Sequence, residues 1–181
     1  SYAQYAFIIN GGYLFHSVPY TIQSNDSLET DQFNKLGSPA SLGCVRLNTA
    51  NVKWIYDNCP AGTKVTIYDD ASNPGPLGKP ETIKIPLNSP NAGWDPTDPN
   101  TNNPWLKINP VIEGTKNITV KTGQKIDLKA GVTAKDTCGN DITTKIITIG
   151  KYTFDQAGEY PITYKVTDAI GKTAEVSIKL I

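Results

Sequence analysis

Residues 88–104, NSPNAGWDPTDPNTNNP, carry four prolines among Asn, Asp, Thr and Gly, and almost nothing that can build a core. Proline fixes φ and offers no backbone donor, so a run spaced like this cannot continue a helix or a central strand. The stretch reads as a semi-rigid linker. The chain of 181 residues then divides into a first part at 1–87, the linker at 88–104 and a second part at 105–181. Each flanking part is large enough for a small domain of its own.

The balance of 17 basic and 17 acidic residues leaves no net charge. Nothing in that balance calls for nucleic acid or an anionic membrane as partner. No apolar run approaches a membrane span. Charged residues are sparse and turn-formers plentiful, which favours β-rich structure. The chain begins at Ser1 and contains no methionine, so it reads as a processed or excised piece.

In the first part, Phe7, Ile8, Ile9, Tyr13, Leu14 and Phe15 read as strand interrupted at Gly11-Gly12. One short helix follows residue 48: Asn48 or Thr49 can cap it, and Val52, Ile55, Tyr56 and Cys59 recur on one face. TKVTIYDD and ETIKIPL alternate apolar and polar residues and read as strands. In the second part, EYPITYKVTD and TAEVSIKLI alternate across a DAIGK turn, the pattern of a β-hairpin. Short strands around NITVK, KIDLK and TTKIITI bring the expected total to about six or seven, which indicates a β-sandwich. DTCGND reads as an Asx-rich turn, common without any metal.

Three cysteines, Cys44, Cys59 and Cys138, leave one thiol over whatever the other two do. Cys59 falls on a helix face and Cys138 in the other domain, so both are expected reduced. No two have metal-ligand spacing, and with one histidine a zinc site is excluded. Cys44 lies in SLGCVRLN, between a glycine and the cation Arg46, where positive charge favours a thiolate. It is either a nucleophile or a small residue in a turn. His16, in FHSVPY, ends a strand just before Pro19. It is either the base such a thiol needs or a histidine satisfied in the core wall.

FHSVPY, SLGCVRLN and AGTKVTIYDD together resemble the L,D-transpeptidase (YkuD-type) catalytic domain, over about residues 5–68. The resemblance implies a mainly β fold, here the C-terminal part of that domain, because most strands that precede the family's His-Ser segment are missing. A partner half of the domain, N-terminal to this one, is expected. By position, Cys44 corresponds to the nucleophile and His16 to its base. Ser17 corresponds to the residue whose main-chain carbonyl orients the imidazole. Gly43 and Cys44 would give backbone N–H groups to the oxyanion, Ser41 and Arg46 would line the site, and Tyr20 would border the substrate groove. Leu42 stands where the family usually has histidine, and residues 21–36 read as an inserted loop.

The implied partners are peptidoglycan stem peptides. The implied reaction releases D-alanine through a cysteine thioester and forms 3→3 cross-links, without metal or cofactor. An L,D-carboxypeptidase on the same stems, or a non-catalytic wall-binding module, are the alternatives. A papain-like peptidase has its cysteine before its histidine, the reverse of the order here. Residues 109–181 resemble the Ig-like modules of bacterial surface proteins, through GVTAKDTCGNDIT and GEYPITYKVTDAIGKTAEVSI. That implies an Ig-like β-sandwich, surface contacts, and a place in the wall or on the surface of a bacterium, expected to be Gram-positive.

Overall fold

The computed structural model describes residues 1–181 and divides into two units, Ser1–Leu106 and Lys107–Ile181. No helix is long and apolar enough to cross a membrane.

In the first unit, β1 (Phe7–Asn10) and β2 (Tyr13–Ser17) form an antiparallel hairpin with Asn10 opposite Tyr13. The glycine pair makes the turn, Gly11 taking φ +56°, a conformation that side chains disfavour. A crossover over residues 18–44, containing the short helix α1 (Thr30–Phe33), leads to β3 (Val45–Leu47). β3 lies parallel to β2 with His16 opposite Arg46, and a parallel return requires a connection of this length. The crossover is anchored rather than loose: Tyr20 bridges Tyr2 and Leu28, while Leu28 and Phe33 are buried.

Helix α2 (Thr49–Asn58) begins where the sequence places it, the Asn48 side chain accepting the Asn51 N–H. Its expected apolar face is fully buried only at Val52. Tyr56 is exposed but edges onto Tyr5 and Phe7, with ring centroids at 5.7 and 6.2 Å, and Phe7 in turn meets Phe15 at 5.4 Å. Cys59 is half-buried at the helix end.

The two strands expected after α2 do not form. TKVTIYDD finds no neighbour to pair with, and Val65 and Ile67 are left exposed; a strand without a ladder has nowhere to place its amides. ETIKIPL is no strand either, yet Ile83 and Ile85 are buried. The Asn34 side chain stands in for the missing neighbour, donating to the Ile85 carbonyl and accepting the Ile85 N–H, both at 2.8 Å.

Residues 88–104 are packed into the first unit instead of linking it to the second. Asp95, Asp98, Asn103 and Trp105 are all at most 2% exposed. The segment builds a core from hydrogen bonds where apolar side chains are absent. Asp95 Oδ2 accepts the Thr49 N–H at 2.7 Å and its Oδ1 accepts Thr97, while Asp98 Oδ2 accepts Gln4 Nε2 and Asn25 Nδ2. Asn103 Nδ2 donates to the Asp95 and Asp98 carbonyls, and Trp105 Nε1 reaches the carbonyls of Asn91 and Trp94. Prolines suit such a strap because it needs turns, not a ladder.

The second unit holds the antiparallel sheet β6–β7–β8 (Ile147–Ile149, Tyr160–Thr167, Thr173–Leu180) and the pair β4–β5 (Val111–Glu113, Thr133–Lys135). The β7–β8 hairpin pairs in register from Tyr160↔Leu180 to Thr167↔Thr173. Ile162, Tyr164, Val166, Ile178 and Leu180 line its core face, as their alternation predicts. NITVK and KIDLK are not regular strands. The first touches β8 through a single parallel bridge, Ile118↔Leu180, and the second turns at Asp127, which accepts the Lys129 N–H, while still burying Leu128.

Candidate active site

The two segments that carry the sole histidine and Cys44 become neighbouring strands. The register Phe15↔Val45 and His16↔Arg46 sets Cys44 one residue before β3, with the same alternation parity as Arg46 and therefore as His16. His16 and Cys44 are both half-buried.

His16 Nδ1 is 2.6 Å from the Ser17 carbonyl oxygen. A carbonyl only accepts, so Nδ1 carries a proton and Nε2 is the nitrogen left to act as a base. Ser17 is itself fully buried, its Oγ accepting the Gln4 N–H and donating to the Val18 carbonyl, both at 2.9 Å. The imidazole is thus tied to buried, hydrogen-bonded backbone at the strand end.

The Ser41–Cys44 turn is closed by one hydroxyl. Ser41 Oγ donates to the Cys44 carbonyl at 2.6 Å and accepts the Gly43 N–H at 3.2 Å. Gly43 has φ +139°, and a Cβ there would sit 2.3 Å from Tyr13 Cε1. Only glycine fits. The Gly43 N–H expected at an oxyanion is therefore engaged by Ser41, whereas the Cys44 N–H has no acceptor. Leu42 projects fully exposed from the same turn.

Cys44, Ser41, Gly43 and Arg46 line one cavity of about 420 Å³, together with Gln32 and Lys35 from the crossover. His16 and Ser17 do not line it. Tyr20 does not line this cavity either: it is 2% exposed, with its hydroxyl 3.3 Å from Thr49 Oγ1 and accepting Gln4 Nε2 at 2.8 Å. Burial pushes its phenol up to about 12, helped by the nearby Asp95 and Asp98. Tyr20 is a core residue whose polar end closes the Asp95–Asp98 network. Gln32 and Lys35 carry no sequence signal as site residues; only the crossover's return beside β3 reveals them.

Residues 1–67 match the L,D-transpeptidase catalytic domain, YkuD. Residues 110–179 match the Ig-like domain of bacterial surface proteins. A putative L,D-transpeptidase, YciB of Bacillus subtilis (strain 168), is 45% identical over 58 residues, 32% of this chain and 29% of that protein. The pesticidal crystal protein Cry22Aa of Bacillus thuringiensis is 41% identical over 56 residues, 30% of this chain and 8% of that protein. The chain thus spans less than a third of either relative. Among solved structures, the Clostridium perfringens ZmpB M60 catalytic domain with CBM51-1 and CBM51-2 is similar at 32% identity and a TM-score of 0.38, over 41% of this chain and 8% of that one.

Proposed function

We propose that the first unit is the cysteine-bearing part of a peptidoglycan L,D-transpeptidase. What carries this reading is His16, held through Nδ1 by the Ser17 carbonyl on the strand beside the one that Cys44 leads into. His16 Nε2 takes the thiol proton, and Cys44 Sγ attacks the carbonyl of the third residue of a tetrapeptide stem. The S–C bond forms, the C–N bond to D-alanine breaks, and the imidazolium proton passes to the departing amine. The Cys44 N–H is the donor available to the tetrahedral oxygen. A side-chain amine from a neighbouring stem then resolves the thioester into a 3→3 cross-link, and water in its place gives carboxypeptidase activity. Such a substrate places the protein in the wall or at the cell surface, where the Ig-like unit is suited to surface contacts.

The test is Cys44→Ala in the intact parent enzyme, read as D-alanine released from tetrapeptide stems. Release should vanish, because no other group can form the acyl intermediate. His16→Ala should slow it by at least the ~10²–10⁴-fold typical of a lost acid–base group. Iodoacetamide should modify Cys44 ahead of Cys59 and Cys138, and a carbapenem should add its mass only while Cys44 is present. Undiminished turnover in Cys44→Ala would make Cys44 a turn residue and leave a wall-binding module as the reading.

A further inference from the structure

The cavity beside Cys44 is lined by two cations, Lys35 and Arg46, and by no carboxylate. This is a local excess, since the chain as a whole is neutral. Arg46 makes one hydrogen bond, from Nη1 to Gln32 Oε1 at 3.0 Å. Its Nε is closed off from solvent and has no acceptor. Gln32 holds the guanidinium through Oε1 while its Nε2 donates to the exposed Asp31 carboxylate at 2.8 Å, so the half-buried charge touches no carboxylate directly. Lys35 reaches Asp31 at 3.5 Å, but that pair is solvent-exposed and holds the lysine only weakly.

We propose that this cavity binds a carboxylate, the free C-terminal carboxylate of the acyl donor, with Arg46 and Lys35 as its ligands and Gln32 as a positioning residue. The proposal rests on the L,D-transpeptidase reading of Cys44. The geometry suits it: the terminal carboxylate of such a donor lies one residue past the scissile carbonyl, roughly 3.5 Å along its chain. Arg46 lies two residues past Cys44, roughly 7 Å along the strand, with a side chain long enough to reach back. The guanidinium supplies a planar fork for the carboxylate, and Lys35 a point charge beside it. Gln32 and Lys35 both belong to the crossover at 18–44, so the segment that lengthens this chain between His16 and Ser41 also selects its donor.

Binding can be separated from chemistry in the full chain carrying Cys44→Ala. Calorimetry would compare a stem tetrapeptide ending in D-alanine with the same peptide ending in D-alaninamide. The acid should bind about tenfold more tightly, the scale of one charge-assisted contact, and the advantage should shrink with added salt. Lys35→Gln and Arg46→Gln should each reduce it. Gln32→Glu should abolish it by giving Arg46 an internal carboxylate, whereas Gln32→Leu should only weaken it. Equal binding of acid and amide, no binding of either, or an advantage indifferent to Lys35→Gln and Arg46→Gln would overturn the proposal. Selective alkylation of Cys44, measured in the parent chain, would stand apart from that failure, and its loss alongside a retained acid preference would overturn only the catalytic reading.

Discussion

Gly43 shows how much a single residue can be asked to do. Its φ of +139° lies where side chains are strained, and the Tyr13 ring occupies the space a Cβ would fill. Gly43→Ala should therefore cost ~1–3 kcal/mol and slow alkylation of Cys44, measured by urea unfolding and by thiol-labelling rate. Tyr13 is exposed and can swing aside, so adding Tyr13→Ala should relieve the contact but not the backbone strain. Full recovery in the double variant would mean that the ring alone demands glycine. The glycine before Cys44 was legible in SLGCVRLN as a residue that permits φ > 0; that it takes such a φ beside Tyr13 is set by the fold. Ser41's double hydrogen bond and the engaged Gly43 N–H were not legible, because they depend on atoms placed by the fold. The same limit explains Tyr20. Its position beside the His-Ser segment suggested a groove, and only the burial of its hydroxyl among Gln4 and Thr49 makes it a core residue.

Elements were legible where one stretch of sequence sufficed to define them. The β1–β2 hairpin, α2 and the β7–β8 hairpin all follow from local alternation, a glycine turn or a capping side chain. TKVTIYDD has the alternation of a strand but lacks a partner, and pairing is a property of two segments. The strap at 88–106 failed for a different reason. Its core is polar, and hydrophobic patterning is blind to carboxylates that bury themselves on backbone amides. Asp95 is the clearest case. It sits at the N-terminus of α2 on the Thr49 N–H, where a helix favours negative charge, yet burial raises its pKa overall. A raised folded-state pKa means that the native state binds more protons than the unfolded one between the two values. Its contribution is then fully present below the unfolded value of about 3.9 and is lost as pH rises through the folded one. Asp95→Asn cannot titrate and turns a donor toward the Thr49 N–H, so it should destabilise by ~1–3 kcal/mol. The deficit relative to the parent should be largest in acid and narrow as pH rises, read from urea midpoints across a pH series. A deficit that widened with pH would mean that the helix dipole, not burial, governs Asp95.

At the scale of the whole molecule, the question is where the first domain ends. The density of proline and the lack of apolar residues put the boundary at 87, with a linker to 104. The fold puts it at 106. Gly93 decides between them most directly: its carbonyl accepts the Leu28 N–H at 2.8 Å, and a Cβ on it would lie 2.1 Å from the Asp26 carbonyl oxygen, so two backbones are pressed together there. That contact ties the strap to the crossover that walls the Cys44 cavity. Cutting the chain after residue 87 removes Asp95 from α2, Asp98 from Gln4 and Asn25, and the buried Trp105. Cutting it after 106 removes none of them. Several buried hydrogen bonds at ~1 kcal/mol each, plus ~2–3 kcal/mol for a buried aromatic, are comparable to the entire stability of a small domain. Residues 1–87 alone should therefore show no cooperative thermal transition by circular dichroism. Residues 1–106 should melt as a unit and keep Cys44 selectively reactive, and protease should spare 88–104 in the full chain. Equal melting of the two fragments, or rapid cleavage within 88–104, would return that segment to the role of linker.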